Sequence, residues 1–423
     1  MGLNILEELT ARGLLAQASH EEELKDHLAG APRTLYSGFD PTAESLHIGS
    51  LVPLITLRRF QMYGHSPILL LGGATGLIGD PSGRSDERTL NSEDQVKTWV
   101  NSIRDQVEQF LDFEGVNSAR VVNNLDWTSN FDLISFLRDI GKHFSVNQMI
   151  QRDSVRSRLE REGDGISYTE FSYMLLQAND YAELARRYNC TLQIGGSDQW
   201  GNIVSGMDLV RRQSGQEAFA LTVPLVTKAD GTKFGKTAGG AIWLNPKMTS
   251  PYSFYQFWYN TADADVDAHL KMFTFLQLEE IAGITESTIT RPEERIAQRT
   301  LAEEVTNLVH GKEATRSSIR ISQCLFNGDI VGLKKSDFEQ LTLDGMESTV
   351  VEKETINLLD ALVKSGLANS RGAARKLVNS NGVSLNGIVQ EDPEARLGAG
   401  NAAFGRYHLL RRGKKNWHLL VLN

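Results

Sequence analysis

Cysteine is nearly absent from this chain: two in 423 residues, Cys190 and Cys324, far apart in sequence. Two distant thiols build neither a disulfide framework nor a zinc cluster, so a reducing, cytoplasmic setting and no protein metal centre are expected. Long apolar runs are absent too. No stretch reaches the ~18 unbroken apolar residues that a membrane-spanning helix needs. The segment "PILLLGGATGLIG" is broken by glycine, as a buried strand and its loop would be. The N-terminal "MGLNILEELTARGLLAQ" is amphipathic and contains acids. It lacks the basic start and small-residue cleavage site of a secretory leader. Leu6 breaks the myristoylation pattern after Gly2. Internal repeats and low-complexity tracts are missing, and no membrane partner is expected.

What is present is an ordinary globular composition, 40% apolar and 23% charged. The length is too great for one core and implies two or three domains. The net charge of −9 argues against a nucleic-acid partner until its distribution is read. From Ser370 onward nine Lys or Arg face three acids, a net of +6, which leaves −15 on the rest. A basic tail on an acidic body suggests an anionic partner for the tail.

Over residues 1–225, strand-like runs ("TLYSGF", "SPILLLGG", "ARVVNN", "CTLQIGG") alternate with helical periods such as "SLVPLITLRRFQMYG". That alternation predicts an α/β fold with a mostly parallel sheet, and such sheets bind ligands at the carboxyl ends of their strands. A loop and linker follow at 226–248, a helical stretch at 249–327 and a connector at 328–353, where apolar periodicity weakens. Residues 354–423 read helix, helix, turn, strand, a small α+β module.

The chemistry gathers at the strand exits. "YSGFDPTAESLHIGS" hands a strand to a helix. It places Gly38, Asp40, Thr42, His47, Gly49 and Ser50 where backbone N–H groups and positive helix potential would receive a triphosphate. An ordinary strand–helix turn with Ser45 as N-cap would use the same residues. "LLLGGATGLIGDPSGR" ends a core strand in glycines, then offers Asp80, Arg84 and, past it, Arg88. It is neither the dinucleotide fingerprint nor a P-loop. "LQIGGSDQWGN" repeats the design, with Asp198 beyond Gly196 placed to accept from ribose hydroxyls and Gln199 beside it. "KADGTKFGKT" has three residues between its glycines where a P-loop has four. Lys233 and Lys236 are therefore read as cations swung onto phosphates; a solvated basic turn is the alternative. In "FSYMLLQANDY", Tyr173, Gln177 and Asp180 stand at i, i+4, i+7 and share one helical face, either solvated or lining a pocket.

Together these segments resemble the class I aminoacyl-tRNA synthetases. "HIGS" is similar to their HIGH signature and "KFGKT" to their KMSKS loop. The linking segments, "GGATGLIGDPSGR", "FSYMLLQANDY", "IGGSDQWGN" and "KADGTKFGKT", resemble the bacterial tyrosyl branch, and the likeness covers nearly the whole chain. The resemblance implies a Rossmann-like HIGH-type domain, a KMSKS-type loop at 226–248, an anticodon-side helical domain and an S4-like RNA-binding domain. It implies activation of tyrosine by ATP, with Mg²⁺ on the triphosphate, and transfer to the 3′-terminal adenosine of tRNA by a homodimer. "FLRDIGKHFSVNQMI" lies where the family pairs its subunits.

Residue roles follow from the same resemblance. Thr42 and His47 would contact the terminal phosphate. Lys233, Lys236, Thr237, Arg84 and Arg88 would close on the departing pyrophosphate. Gly38, Asp40, Gly49 and Ser50 would lie along the nucleotide, and Gly196 and Asp198 would take its ribose. Gln199 would lie near the substrate carboxylate, Tyr173, Gln177 and Asp80 at its ammonium, and Tyr36 and Asp180 at its phenol. A site built to bond a hydroxyl rejects phenylalanine without editing. Arg371, Arg375, Lys376, Arg411, Arg412, Lys414 and Lys415 would meet tRNA phosphates. Two positions depart from the usual pattern: Ser50 replaces the second histidine of HIGH, and Arg84 stands where lysine is common. Other readings are a tryptophanyl-type relative and a non-catalytic RNA-binding descendant.

Overall fold

The structure is a computed structural model of the whole chain. It describes residues 3–82, 90–160, 165–227, 234–237, 240–352 and 354–423, and for 153, 154, 157, 236 and 237 the backbone alone. The chain forms two compact units, one of residues 1–244 and 262–297, the other of 245–261 and 298–423. The helical stretch 249–327 is thus divided between them.

The first unit is built on six strands: β1 (Gln17–Ala18), β2 (Thr34–Phe39), β3 (Ser66–Leu71), β4 (Arg120–Asn123), β5 (Cys190–Gly196) and β6 (Phe219–Val223). Their order is β1-β6-β5-β2-β3-β4, and only β1 runs antiparallel to its neighbour. Short β1 and β6 were not among the anticipated strands. The four that were anticipated lie within a residue or two of their expected places, because helices cover both sheet faces and the strands must be apolar throughout. Ile68–Leu71, Cys190–Ile194 and all of β6 are buried. From β2 the chain moves outward through β3 to β4, then returns to β5 on the other side of β2. The winding reverses between β2 and β5, which puts a crevice at their carboxyl ends.

Helix Leu51–Met62 follows β2 and buries Leu51, Leu54, Ile55, Leu57 and Phe60. Helix Tyr168–Tyr188 starts at Ser167, whose hydroxyl accepts from Glu170 N, and stops at Asn189 with φ +52° before β5. The N-terminal helix Ile5–Ala11 is capped by Asn4. Arg12 just after it donates to the carbonyls of Lys271 (3.2 Å) and Leu276 (2.7 Å), tying it to the end of helix Asp263–Phe273. A short hairpin, β7 (Lys236–Thr237) and β8 (Gly240–Ala241), completes this unit's described strands.

The second unit contains helix Pro251–Tyr259, all but the first two residues of helix Ile296–Asn327, which is broken at Gly311 (φ 80°), and a five-stranded sheet. Its strands are β9 (Ser348–Val351), β11 (Val383–Leu385), β12 (Ile388–Val389), β14 (Tyr407–Arg412) and β15 (Asn416–Leu422). A separate pair joins β10 (Thr355–Asn357) and β13 (Arg396–Gly398). One face of the sheet packs on Leu358, Leu362, Ala374 and Val378. The other packs on Tyr252, Ile321, Phe338 and Leu341. Residues 328–352 are therefore more structured than their weak periodicity suggests. Helix Lys335–Gln340 supplies Phe338 to that core, and β9 pairs in parallel with β15, a partner some seventy residues on. No local pattern reveals such a pairing.

Candidate active site

The crevice opens as a cavity of about 550 Å³, all within the first unit. Tyr36, Gly38, Asp40, Thr42, His47, Gly49, Ser50, Asp80, Tyr173, Gln177, Asp180, Gly196, Asp198 and Gln199 all line it. Arg84, Arg88 and Lys233 lie outside the described residues. Thr237 and Lys236 are placed by their backbone in β7.

At the inner end stands Asp180, 2% exposed. Its Oδ2 accepts from Asn124 Nδ2 at 2.9 Å and its Oδ1 from Trp127 Nε1 at 2.8 Å. Burial pushes its carboxyl up to about 7, the two donors oppose that rise, and Asp40 and Glu183 add to it. Beside it Tyr36 is 1% exposed, and its hydroxyl has no hydrogen-bond partner among the described residues. Burial, then the charge of Asp180, raises the Tyr36 phenol well above its ordinary value. Gln177 Oε1 and Gln193 Oε1 are buried and likewise unpartnered. An unmet buried polar atom costs about 1–3 kcal/mol, so three in one pocket describe a place shaped for polar groups of a ligand.

The middle of the cavity is a carboxylate lattice. Asp40 accepts from Tyr173 Oη at 2.7 Å and from Thr75 Oγ1 at 2.6 Å. Asp80 accepts from Gln199 Nε2 at 2.7 Å and from Ser82 N at 2.9 Å. Asp40 was expected along the nucleotide, and its side chain organises the wall. Gly72 serves that side chain: a Cβ there would lie 2.0 Å from Asp40 Oδ1. At Gly38 a Cβ would meet nothing within 4 Å, so the strand end is open toward the cavity.

At the mouth, His47 caps the one-turn helix Ile48–Ser50, its Nδ1 accepting from Gly49 N at 3.0 Å. That bond assigns the neutral tautomer with the proton on Nε2, a donor. Ser45 is not the cap; its hydroxyl donates to Leu46 O. Ile48 N donates to Ile242 O and Leu244 N to Leu46 O, both at 2.9 Å, and His47 bridges Trp243. Gly235, at φ +77°, sits against Ile48, where a Cβ would come within 2.4 Å of Cγ2. The hairpin carrying Lys236 is thereby laced to the "HIGS" segment.

Asn124, Trp127, Thr75 and Gln193 were missed in the sequence. The Asn-rich exit of β4, "VVNNLDW", was the available signal for the first two.

In the second unit, Arg371, Arg375 and Lys376 project from helix Arg371–Asn379, and Arg412, Lys414 and Lys415 from the β14–β15 turn. Arg412 donates to Leu367 O just before that helix, and Gly413 N to Gly382 O just after it, so the two basic elements adjoin. Arg371 pairs with Asp360, and Arg375 with Glu394 at 2.5 Å. Arg411 differs: it is half-buried, with its guanidinium 4.9 Å over the ring of Trp417.

A parallel sheet with this switch point, a phosphate-ready strand–helix turn and a hairpin tied to it define a nucleotide-activating enzyme. Residues 29–327 match the family described as tRNA synthetases class I (W and Y), and the chain belongs to it. Residues 337–420 match the tyrosine–tRNA ligase SYY-like C-terminal domain. The chain is 57% identical to tyrosine–tRNA ligase of Klebsiella pneumoniae (strain 342), and 56% to that of Escherichia coli O139:H28. Each match spans 418 residues, 99% of this chain and 98% of the relative. A C-terminally truncated mitochondrial tyrosyl-tRNA synthetase of Aspergillus nidulans superposes with a TM-score of 0.69 at 32% identity, over 76% of this chain and 94% of that one. The activity is tyrosine–tRNA ligation: tyrosine and ATP give tyrosyl-adenylate and pyrophosphate, and tyrosine then passes to tRNA.

Proposed function

We propose that the cavity binds tyrosine with its phenol innermost, between Tyr36 and Asp180, and ATP across the outer strand ends. The observation that carries this is the buried Tyr36 hydroxyl without a partner, beside a carboxylate already held by two donors. A phenolic hydroxyl has the donor and acceptor capacity to satisfy both groups. Tyr173, Gln177 and Asp80 take the ammonium and Gln199 the carboxylate side. Gly196 and Asp198 take the ribose, with Gly38, Asp40, Gly49 and Ser50 along the nucleotide.

The tyrosine carboxylate is ionised at neutral pH and is itself the nucleophile. It attacks the α-phosphorus, and pyrophosphate leaves. No side chain need take a proton, so the protein aligns the reactants and stabilises growing phosphate charge. His47 Nε2–H and Thr42 donate to the terminal phosphate, and Lys236, with Thr237 and with Lys233, Arg84 and Arg88 beyond the described residues, receives the pyrophosphate. Losing one such donor costs roughly 2–4 kcal/mol of transition-state stabilisation. Mg²⁺ fits as a counter-ion of the triphosphate, since it keeps water and phosphate oxygens as ligands. No group of three or more candidate metal ligands occurs among the described residues.

The basic groups from Arg371 to Lys415 form the tRNA face, and the apolar segment from Leu133 to Ile150 the contact between two copies. A cytoplasmic setting agrees with two free cysteines and with no helix long and apolar enough to cross a membrane among the described residues. The test is ATP–pyrophosphate exchange: tyrosine should support it, and phenylalanine or tryptophan only at a kcat/KM lower by roughly 10⁴-fold or more. Tyr36→Phe and Asp180→Asn should each raise the KM for tyrosine while leaving the KM for ATP unchanged. Equal use of tyrosine and phenylalanine by the intact chain would refute the assignment.

A further inference from the structure

Asp180 lies on helix Tyr168–Tyr188 two turns before Arg187, so both project from one side of it. Trp127 comes from the one-turn helix Leu125–Thr128 at the exit of β4 and is buried. Its indole N–H donates to Asp180 Oδ1 at 2.8 Å. The face of the same ring lies under the guanidinium of Arg187, 5.3 Å from the ring centre. That guanidinium is itself braced: Arg187 Nε donates to Glu183 Oε2 at 2.6 Å, and Arg186 Nη2 donates to the same oxygen at 2.6 Å. Arg187 touches no part of the cavity.

We propose that Arg187 is a positioning residue for tyrosine selectivity, clamping Trp127 so that its N–H stays aligned on Asp180. A cation over an indole face is attracted to the ring and draws electron density from it, which strengthens the N–H donor at the edge. The clamp thus works twice. It fixes the ring plane, and it firms the hydrogen bond that aims the carboxylate at the phenol. Phenylalanine presents no hydroxyl to that carboxylate, so its activation does not draw on the clamp. This inference rests on the pocket orientation given above.

The experiment is ATP–pyrophosphate exchange on the full chain with tyrosine and with phenylalanine. Arg187→Gln should raise the KM for tyrosine roughly threefold to tenfold, the scale of one cation–π contact. It should leave kcat, the KM for ATP and the kcat/KM for phenylalanine unchanged. Arg187→Lys should keep most of the selectivity. In a Trp127→Phe background, Arg187→Gln should have no further effect on tyrosine, because the N–H it acts through is gone. Equal losses for both amino acids, or an undiminished effect in the Trp127→Phe background, would overturn the proposal. Asp180→Asn separates the two readings. If it leaves the KM for tyrosine unmoved, the pocket orientation falls. If it raises that KM and Arg187→Gln does not, only the clamp falls.

Discussion

At the residue scale, Asp180 contains a conflict between folding and function. Its side chain is ordinary in the unfolded chain, near 3.8, and is raised to about 7 in the fold, burial being the main cause. Between those values the folded protein holds a proton that the unfolded chain has released. Stability therefore falls as pH rises from about 4 to about 7 and levels off above, a loss on the order of 4 kcal/mol. Asp180→Asn removes this dependence. Urea unfolding of both proteins between pH 4 and 8 should show the asparagine variant gaining on the parent with each pH step up to about 7. Parallel stability curves would contradict the assignment. The charge that weakens the fold near neutral pH is the one we propose to meet the substrate hydroxyl, a trade expected where binding groups are buried.

At the element scale, function depends on how segments are tied. The backbone bonds of Leu46 and Ile48 to Leu244 and Ile242 carry the β7–β8 hairpin, and only glycine fits at position 235, by its φ of +77° and by the nearness of Ile48. Gly235→Ala should shift the hairpin and displace Lys236. We expect adenylate formation in single-turnover kinetics to slow by roughly tenfold or more, with tyrosine binding by equilibrium dialysis unchanged. A normal rate would show that the hairpin register does not matter. The elements also show what a sequence can reveal. Strands β2, β3, β4 and β5 were legible because apolar runs lead into glycine- or asparagine-bearing exits, and Tyr173, Gln177 and Asp180 because helical spacing aligned them. Asn124 and Trp127 escaped because they meet Asp180 across 56 and 53 positions of chain. The side-chain role of Asp40 escaped because nothing near it in sequence foretells Tyr173, 133 residues away.

At the scale of the whole molecule, two surfaces carry predictions. Leu133 and Ile134 are 70% and 68% exposed, and Leu137, Val146 and Ile150 are exposed beside them in sequence. Exposed apolar groups that gather on one face mark interaction sites, which is why we propose this segment as the contact between two copies. Ile134→Asp should convert a dimer to a monomer in sedimentation equilibrium; an unchanged mass would dismiss this face as the contact.

The C-terminal sheet carries the last prediction. Every cavity residue belongs to the first unit, so removing the sheet should spare ATP–pyrophosphate exchange and abolish tRNA charging. Where the cut falls decides whether the product is soluble. A chain ending at residue 353 keeps Phe338 and Leu341 but loses Tyr407, Leu409, Leu419 and Val421, which cover them. Each large apolar side chain left uncovered forfeits about 1.5–3 kcal/mol of burial. A chain ending at residue 327 removes Phe338, Leu341 and β9 along with the sheet and leaves much less apolar surface bare. We therefore expect the 1–327 chain to stay soluble and catalyse exchange, and the 1–353 chain to aggregate in light scattering at the same concentration. If both remain soluble and neither charges tRNA, the tRNA assignment stands and the shared core of residues 328–352 matters less than its packing implies. If either charges tRNA at the parent rate, the basic tail is not the tRNA face.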